Sequence, residues 1–182
     1  MKHPEAIESK LKELNLEPTE YIVLVSVSDQ KMALFRGGES IGTYKISTSK
    51  KGTGQIENTM QTPLGLHRIS EKIGASAASG AIFKAREDTG DICPPDSDAH
   101  RGADLILTRI LRLEGLEEGH NRGRDRRGQL VDSFKRFIYI HGTNHEEKLG
   151  TPASHGCVRM GNADVIDLFS RVPEGTLVWI AS

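Results

Sequence analysis

Short apolar or alternating runs, each cut off by turn residues, dominate this chain of 182 residues and restrict it to a β-rich fold. Residues 21–28 (YIVLVSVS) are β-branched, and residues 31–36 (KMALFR) alternate, with Asp29-Gln30 between them as a hairpin turn. A turn at 37–40 leads to a third strand at 41–48, and residues 61–69 read as a turn entering another. Further strands are expected at 105–113, at 136–140 running straight into His141, and at 177–180. Many short strands, few helices and no internal repeat predict a mainly β single domain, a sandwich or small barrel.

Two helices are expected. Ile7, Leu11 and Leu14 recur at helical spacing between Pro4 and Leu14, with Pro18 ending the segment. A second helix runs from Asn162, read as its N-cap, to about Arg171, with Pro173 and Gly175 beyond it. Residues 1–20 are therefore read as a helical extension and 21–182 as the main domain. The stretch 71–135 holds one clear strand, at 105–113, between irregular segments. It is weakly patterned over 71–103 and rich in arginine near 122–127, and it reads as an insertion or lid.

Composition excludes several classes of function. With 24 basic and 25 acidic side chains the net charge is −1, giving no general attraction to nucleic acid or to an anionic membrane. No run approaches the ~18–20 apolar residues of a membrane span. The first twenty residues are charged throughout, with no apolar leader core, so a cytoplasmic protein is expected; a periplasmic or otherwise extracytoplasmic site is the alternative had a leader been removed. Cys93 and Cys157 suggest no disulfide framework.

The chemistry concentrates in residues 140–143 (IHGT) and 154–160 (SHGCVRM). A thiol near its reference pKa of ~8.5 is only a few per cent ionised at neutral pH, and a nearby imidazole raises that fraction and returns the proton to a leaving amine. Gly156 removes a Cβ that would obstruct a carbonyl approaching the backbone, so amides beside Cys157 are candidates for an oxyanion site. Three readings stand on residue types alone. One is acyl transfer by Cys157 with a histidine. The second is a metal site from His141, His145, His155 and Cys157, and the third is a buried structural cysteine with turn histidines.

The ordered match of residues 140–143 and 154–160, with Asn162 beyond, resembles the signature of L,D-transpeptidase (YkuD-type) catalytic domains. Residues 62–69 (TPLGLHRI) resemble that family's TP-x-G-x-F-x-I segment, with His67 at the usual aromatic position. The resemblance covers roughly 21–70 and 136–181. It implies a β-sandwich, no cofactor, and peptidoglycan stem peptides as substrate. By position, Cys157 is the nucleophile and His141 its proton partner, with His155 the rival base. The carbonyl of Gly142 or the hydroxyl of Ser154 would orient His141. Amides of His155, Gly156 and Cys157 would receive the oxyanion, and Arg159 would hold the loop or contact a substrate carboxylate. Family members without a leader include L,D-carboxypeptidases that trim muropeptide tetrapeptides during murein recycling. The expected activity is therefore removal of terminal D-alanine, with transpeptidation as the alternative.

Other features have plainer readings. Arg122, Arg124, Arg126 and Arg127 form a basic cluster, offered either as a rim that binds acidic peptide carboxylates or as a solvated loop. Asp125 interrupts it and no aromatic residue is interleaved, which argues against nucleic acid. Arg109 and Arg112 fall on opposite faces of their strand, so only one can point into a groove. Cys93 reads as structural, and His145 as a turn residue or a ligand contact. Residues 74–80 lack the Lys-Ser/Thr ending of a phosphate loop.

Overall fold

The computed structural model describes residues 5–94 and 102–182. Pro4, where the sequence starts the first helix, lies outside them, as does the part of the 71–135 insertion from Pro95 to Arg101. The elements, in chain order, are α1 (Glu5–Glu13), β1 (Tyr21–Ser26), β2 (Lys31–Arg36), β3 (Glu39–Ser47), β4 (Gly65–Ile73), β5 (Ala81–Lys84), β6 (Glu87–Ile92), β7 (Ile106–Gly115), β8 (Tyr139–Gly142), β9 (Val158–Met160), α2 (Asn162–Arg171) and β10 (Leu177–Ala181).

The strands form one sheet in the order β4-β10-β1-β2-β3-β9-β8-β7-β5-β6, and β4 also pairs with β7. That extra pairing closes eight strands into a barrel and leaves the β5–β6 hairpin attached to β7. Closure removes sheet edges. Alternation along β1 and β2 explains their unbroken apolar runs. Val23, Val25, Met32 and Leu34 join the main core, whereas Ile22, Leu24, Ala33 and Phe35 join a second cluster on the other face with Ile7 and Leu11 of α1. The N-terminal helix thus covers one outer face of the sheet. Val165, Leu168 and Phe169 of α2 enter the main core.

Three expectations change in detail. The insertion contributes three strands to the common sheet, since β5, β6 and β7 all fall within 71–135. The strand expected from Arg136 starts at Tyr139, because Phe137 takes a left-handed φ of 56° that extended pairing does not allow. Asn162 is the first residue of α2 rather than its cap. Its side chain is occupied elsewhere, and its N–H is instead received by Glu146 Oε1 at 2.7 Å.

Candidate active site

Two adjacent strands place the chemistry. β8 and β9 run parallel, with Ile140 opposite Val158, His141 opposite Arg159 and Gly142 opposite Met160. Ile140, Val158 and Met160 point into the main core. Alternation then sends Tyr139, His141, Cys157 and Arg159 to the opposite face. There Asp104, Ile106, His141, Ser154, His155, Cys157 and Arg159 line a cavity of about 190 Å³.

The thiol is half-buried at the margin of a small apolar cluster that contains Tyr139, Phe83 and Ile110. Its Sγ accepts the N–H of Tyr139 at 3.4 Å and donates to the carbonyl of Phe137 at 3.5 Å. Burial pushes the thiol pKa up to about 11, and the Asp104 carboxylate pushes the same way; the Tyr139 N–H, Arg159 and Arg136 act in the opposite sense.

His141 is buried, and its Nδ1 donates to the carbonyl of Gly142 at 2.7 Å. That bond fixes the neutral tautomer, so Nε2 is the basic nitrogen. Burial lowers the imidazole pKa to about 4, against a smaller upward pull from the Gly142 bond and Asp104. Both shifts favour the neutral thiol and the neutral imidazole in the resting protein.

Of the two orienting groups expected for His141, Gly142 performs the role and Ser154 does not. Ser154 Oγ donates to the carbonyl of Cys157 at 2.6 Å and receives the N–H of Gly156 at 3.2 Å. The Gly156 amide is thus tied within its own turn, which leaves His155 and Cys157 as the amide candidates for an oxyanion. Gly156 is required by its φ of 127°, since an added Cβ would meet nothing closer than 3.4 Å. Thr62 of the TP segment fastens this turn, donating to the carbonyl of Gly156 at 3.0 Å while receiving the N–H of Ser49 at 3.0 Å.

Arg159 is buried, and its Nη2 pairs with Asp104. The same Asp104 oxygen receives His155 Nδ1 at 2.6 Å. Arg122 and Arg124 are not at this site. Arg122 faces Glu114 and Glu118 at 3.9 and 3.8 Å, and Arg124 donates to the carbonyl of Gly128, so neither lines the cavity. Arg109 and Arg112 are both buried and do not line the cavity, bonding to the carbonyl of Ala77 and to Glu71 respectively. His145 is a turn residue: it bonds to the carbonyl of Ala103 at 3.0 Å and to Glu147 at 3.2 Å. The four-ligand metal set is therefore not assembled, and among the described residues no cluster of three or more His, Cys, Asp or Glu is placed to hold a metal ion. Cys93 is buried beside Ile82 and Leu107.

Two charged residues at the site carry no signal in the sequence. Asp104 follows a weakly patterned segment and has no fixed spacing to either motif. Arg136 donates to the carbonyls of Gly54, Gln55 and Gln61, bringing a guanidinium near the thiol. It reads in the sequence only as the start of a strand.

A closed β-barrel sets His141 of β8 and Cys157, immediately before the parallel strand β9, on one cavity. Residues 20–180 match the family of L,D-transpeptidase catalytic domains (YkuD), and the chain belongs to that family. The putative L,D-transpeptidase YqjB of Bacillus subtilis is 51% identical over 45 residues, which cover 25% of this chain and 26% of that protein. The probable L,D-transpeptidase YbiS of Escherichia coli K12 is 51% identical over 43 residues, 24% of this chain and 14% of that protein. The matched segments thus span about a quarter or less of these relatives. Among solved structures, an L,D-transpeptidase from Xylanimonas cellulosilytica superposes with a TM-score of 0.54 at 18% identity, covering 91% of this chain and 62% of the other. L,D-transpeptidase 3 of Mycobacterium tuberculosis, solved with a faropenem-derived adduct, gives 0.54 at 15% identity, covering 90% and 60%. These two likenesses establish the shared fold.

Proposed function

We propose that this protein is a cysteine L,D-carboxypeptidase that removes the terminal D-alanine from muropeptide tetrapeptides through an acyl-enzyme. The carrying observation is that Cys157, His141 and Arg159 converge on one cavity of about 190 Å³. That volume suits a single small terminal residue with a few waters, at about 30 Å³ each. In the proposed step His141 Nε2 takes the thiol proton as Sγ attacks the carbonyl of the third residue. The proton passes to the D-alanine amine as the C–N bond breaks, leaving a thioester. Water, deprotonated by the same nitrogen, then attacks the thioester; tripeptide leaves and the thiol is restored. Buried Arg159 suits the terminal carboxylate. Both cysteines are free, which suits the reducing cytoplasm proposed as the site of action in peptide recycling.

A second hollow of about 270 Å³ shares His155 with the first, is lined also by Met60, Arg136 and Phe137, and favours a second reading. An amine-bearing stem peptide held there would replace water and make the enzyme a transpeptidase. The deciding experiment is product mass from a tetrapeptide with and without an added stem peptide or D-amino acid. Tripeptide alone supports hydrolysis, and an exchanged or cross-linked product supports transfer. Cys157→Ala should abolish either activity, and turnover surviving that change would refute thiol chemistry. Incubation with a carbapenem should add the inhibitor's mass to the wild type and nothing to Cys157→Ala. Cell fractionation tests the location.

A further inference from the structure

Arg159 has an unfilled binding edge. Its side chain is 3% exposed, and Nε is buried with no hydrogen-bond partner among the described residues. A guanidinium is a planar fork suited to two parallel bonds with one carboxylate. Here the fork meets Asp104 through a single nitrogen, and the oxygen it meets is shared with His155.

Asp104 enters from the solvent side, with its side chain 30% exposed. Its backbone is fixed independently of that side chain. The carbonyl of Ala103 receives Asn144 Nδ2 at 2.9 Å and His145 Nε2 at 3.0 Å, and Leu105 N–H donates to Asn144 Oδ1 at 3.0 Å. The carboxylate can therefore swing away without unfastening the strap that bears it.

We propose that Arg159 and His155 form a carboxylate subsite, that Asp104 is its resident occupant, and that a peptide's terminal carboxylate binds by taking its place. The inference rests on the acyl-transfer reading only for the identity of that peptide. Asp104 makes the empty site nearly neutral, balancing the Arg159 charge. A free monocarboxylate gains little there unless it forms the bidentate contact that Asp104 does not. Selection then favours ligands placed by the rest of their chain over small anions and released product.

The test uses N-acetyl-D-alanine, a monoanion, as probe. Its binding is read as protection of Cys157 from iodoacetamide, in wild type and in the near-isosteric Asp104→Asn. With the competitor's charge gone, apparent affinity should rise by about tenfold or more, the size of one charge-assisted hydrogen bond. The uncharged N-acetyl-D-alaninamide should show no such gain. Asp104→Ala gives a second measurement should the first variant be unstable. Unchanged or weaker binding of the probe in a folded variant overturns the proposal and makes Asp104 a support for Arg159. Turnover of tetrapeptide by the wild type is assayed separately. Its failure alongside tighter probe binding in Asp104→Asn would leave the subsite standing while removing the proposed reaction.

Discussion

The N–H of Tyr139 is directed at the Sγ of Cys157 across the β8–β9 pair, at 3.4 Å, so the thiol rests on a strand amide. That single donor does not offset burial, which holds the thiol pKa up at about 11. Cys157 in the free protein should therefore react with iodoacetamide slowly at pH 7 and accelerate only well above the ~8.5 midpoint of an ordinary thiol. Alkylation rate against pH, followed by mass, measures this. A midpoint at or below that of free cysteine would mean that the thiolate is preformed in the resting site.

The carbonyl of Gly142 sets the His141 tautomer, and the space around this glycine is full. A Cβ there would lie 2.5 Å from Asn162 Oδ1 and 2.8 Å from the carbonyl of Leu107. Asn162 is itself held, receiving Thr108 Oγ1 at 2.5 Å and donating to the carbonyl of Thr143 at 2.9 Å. Gly142→Ala should lower stability by about 1–3 kcal/mol, as overpacking does. It should also reduce kcat more than KM, because the imidazole is misdirected while the Arg159 side of the cavity is untouched. Urea denaturation and steady-state kinetics on one preparation separate the two effects.

The motif residues were legible because their chemistry and local spacing travel together. His141 lies within β8 and Cys157 immediately before β9, and the parallel register of the two strands does the rest. Asp104 and Arg136 were not legible. Each reaches the site through contacts far apart in sequence, Asp104 with His155 and Arg159, and Arg136 with three carbonyls of the 54–61 loop. The strands β1, β2 and β10 are legible to within a few residues, since apolar runs bounded by turns report burial directly. The hairpin β5–β6 is not legible, because β6, EDTGDI, is exposed along its whole length and carries no apolar alternation.

The arginine loop offers a negative prediction. Arg122 makes long pairs with Glu114 and Glu118, and Arg124 bonds to a carbonyl of its own loop. Arg122→Ala and Arg124→Ala should leave KM for tetrapeptide within about twofold and stability within about 0.5 kcal/mol, as for ordinary surface sites. A KM raised tenfold would restore this loop as a substrate-binding rim.

His67, at the position where the family carries an aromatic, yields a pH prediction. The ring is fully buried, with Nδ1 donating to the carbonyl of Gly65 at 3.0 Å and Nε2 receiving Ser133 Oγ at 2.9 Å. Both nitrogens are satisfied only in the neutral form, and burial lowers the pKa to about 4. The unfolded chain protonates His67 near ~6.5, so between that pH and about 4 it binds a proton that the folded protein refuses. Stability is therefore full above pH 6.5, falls as the pH drops toward 4, and loses about 3 kcal/mol from this residue. His141, lowered likewise to about 4, contributes in the same window and sense. The double change His67→Phe with Ser133→Ala removes the titrating ring and the hydroxyl it would strand. Its urea midpoint should decline between pH 7 and pH 4 by roughly half as much as the wild type's. An equal decline in the two proteins would show that the acid sensitivity comes from groups other than His67.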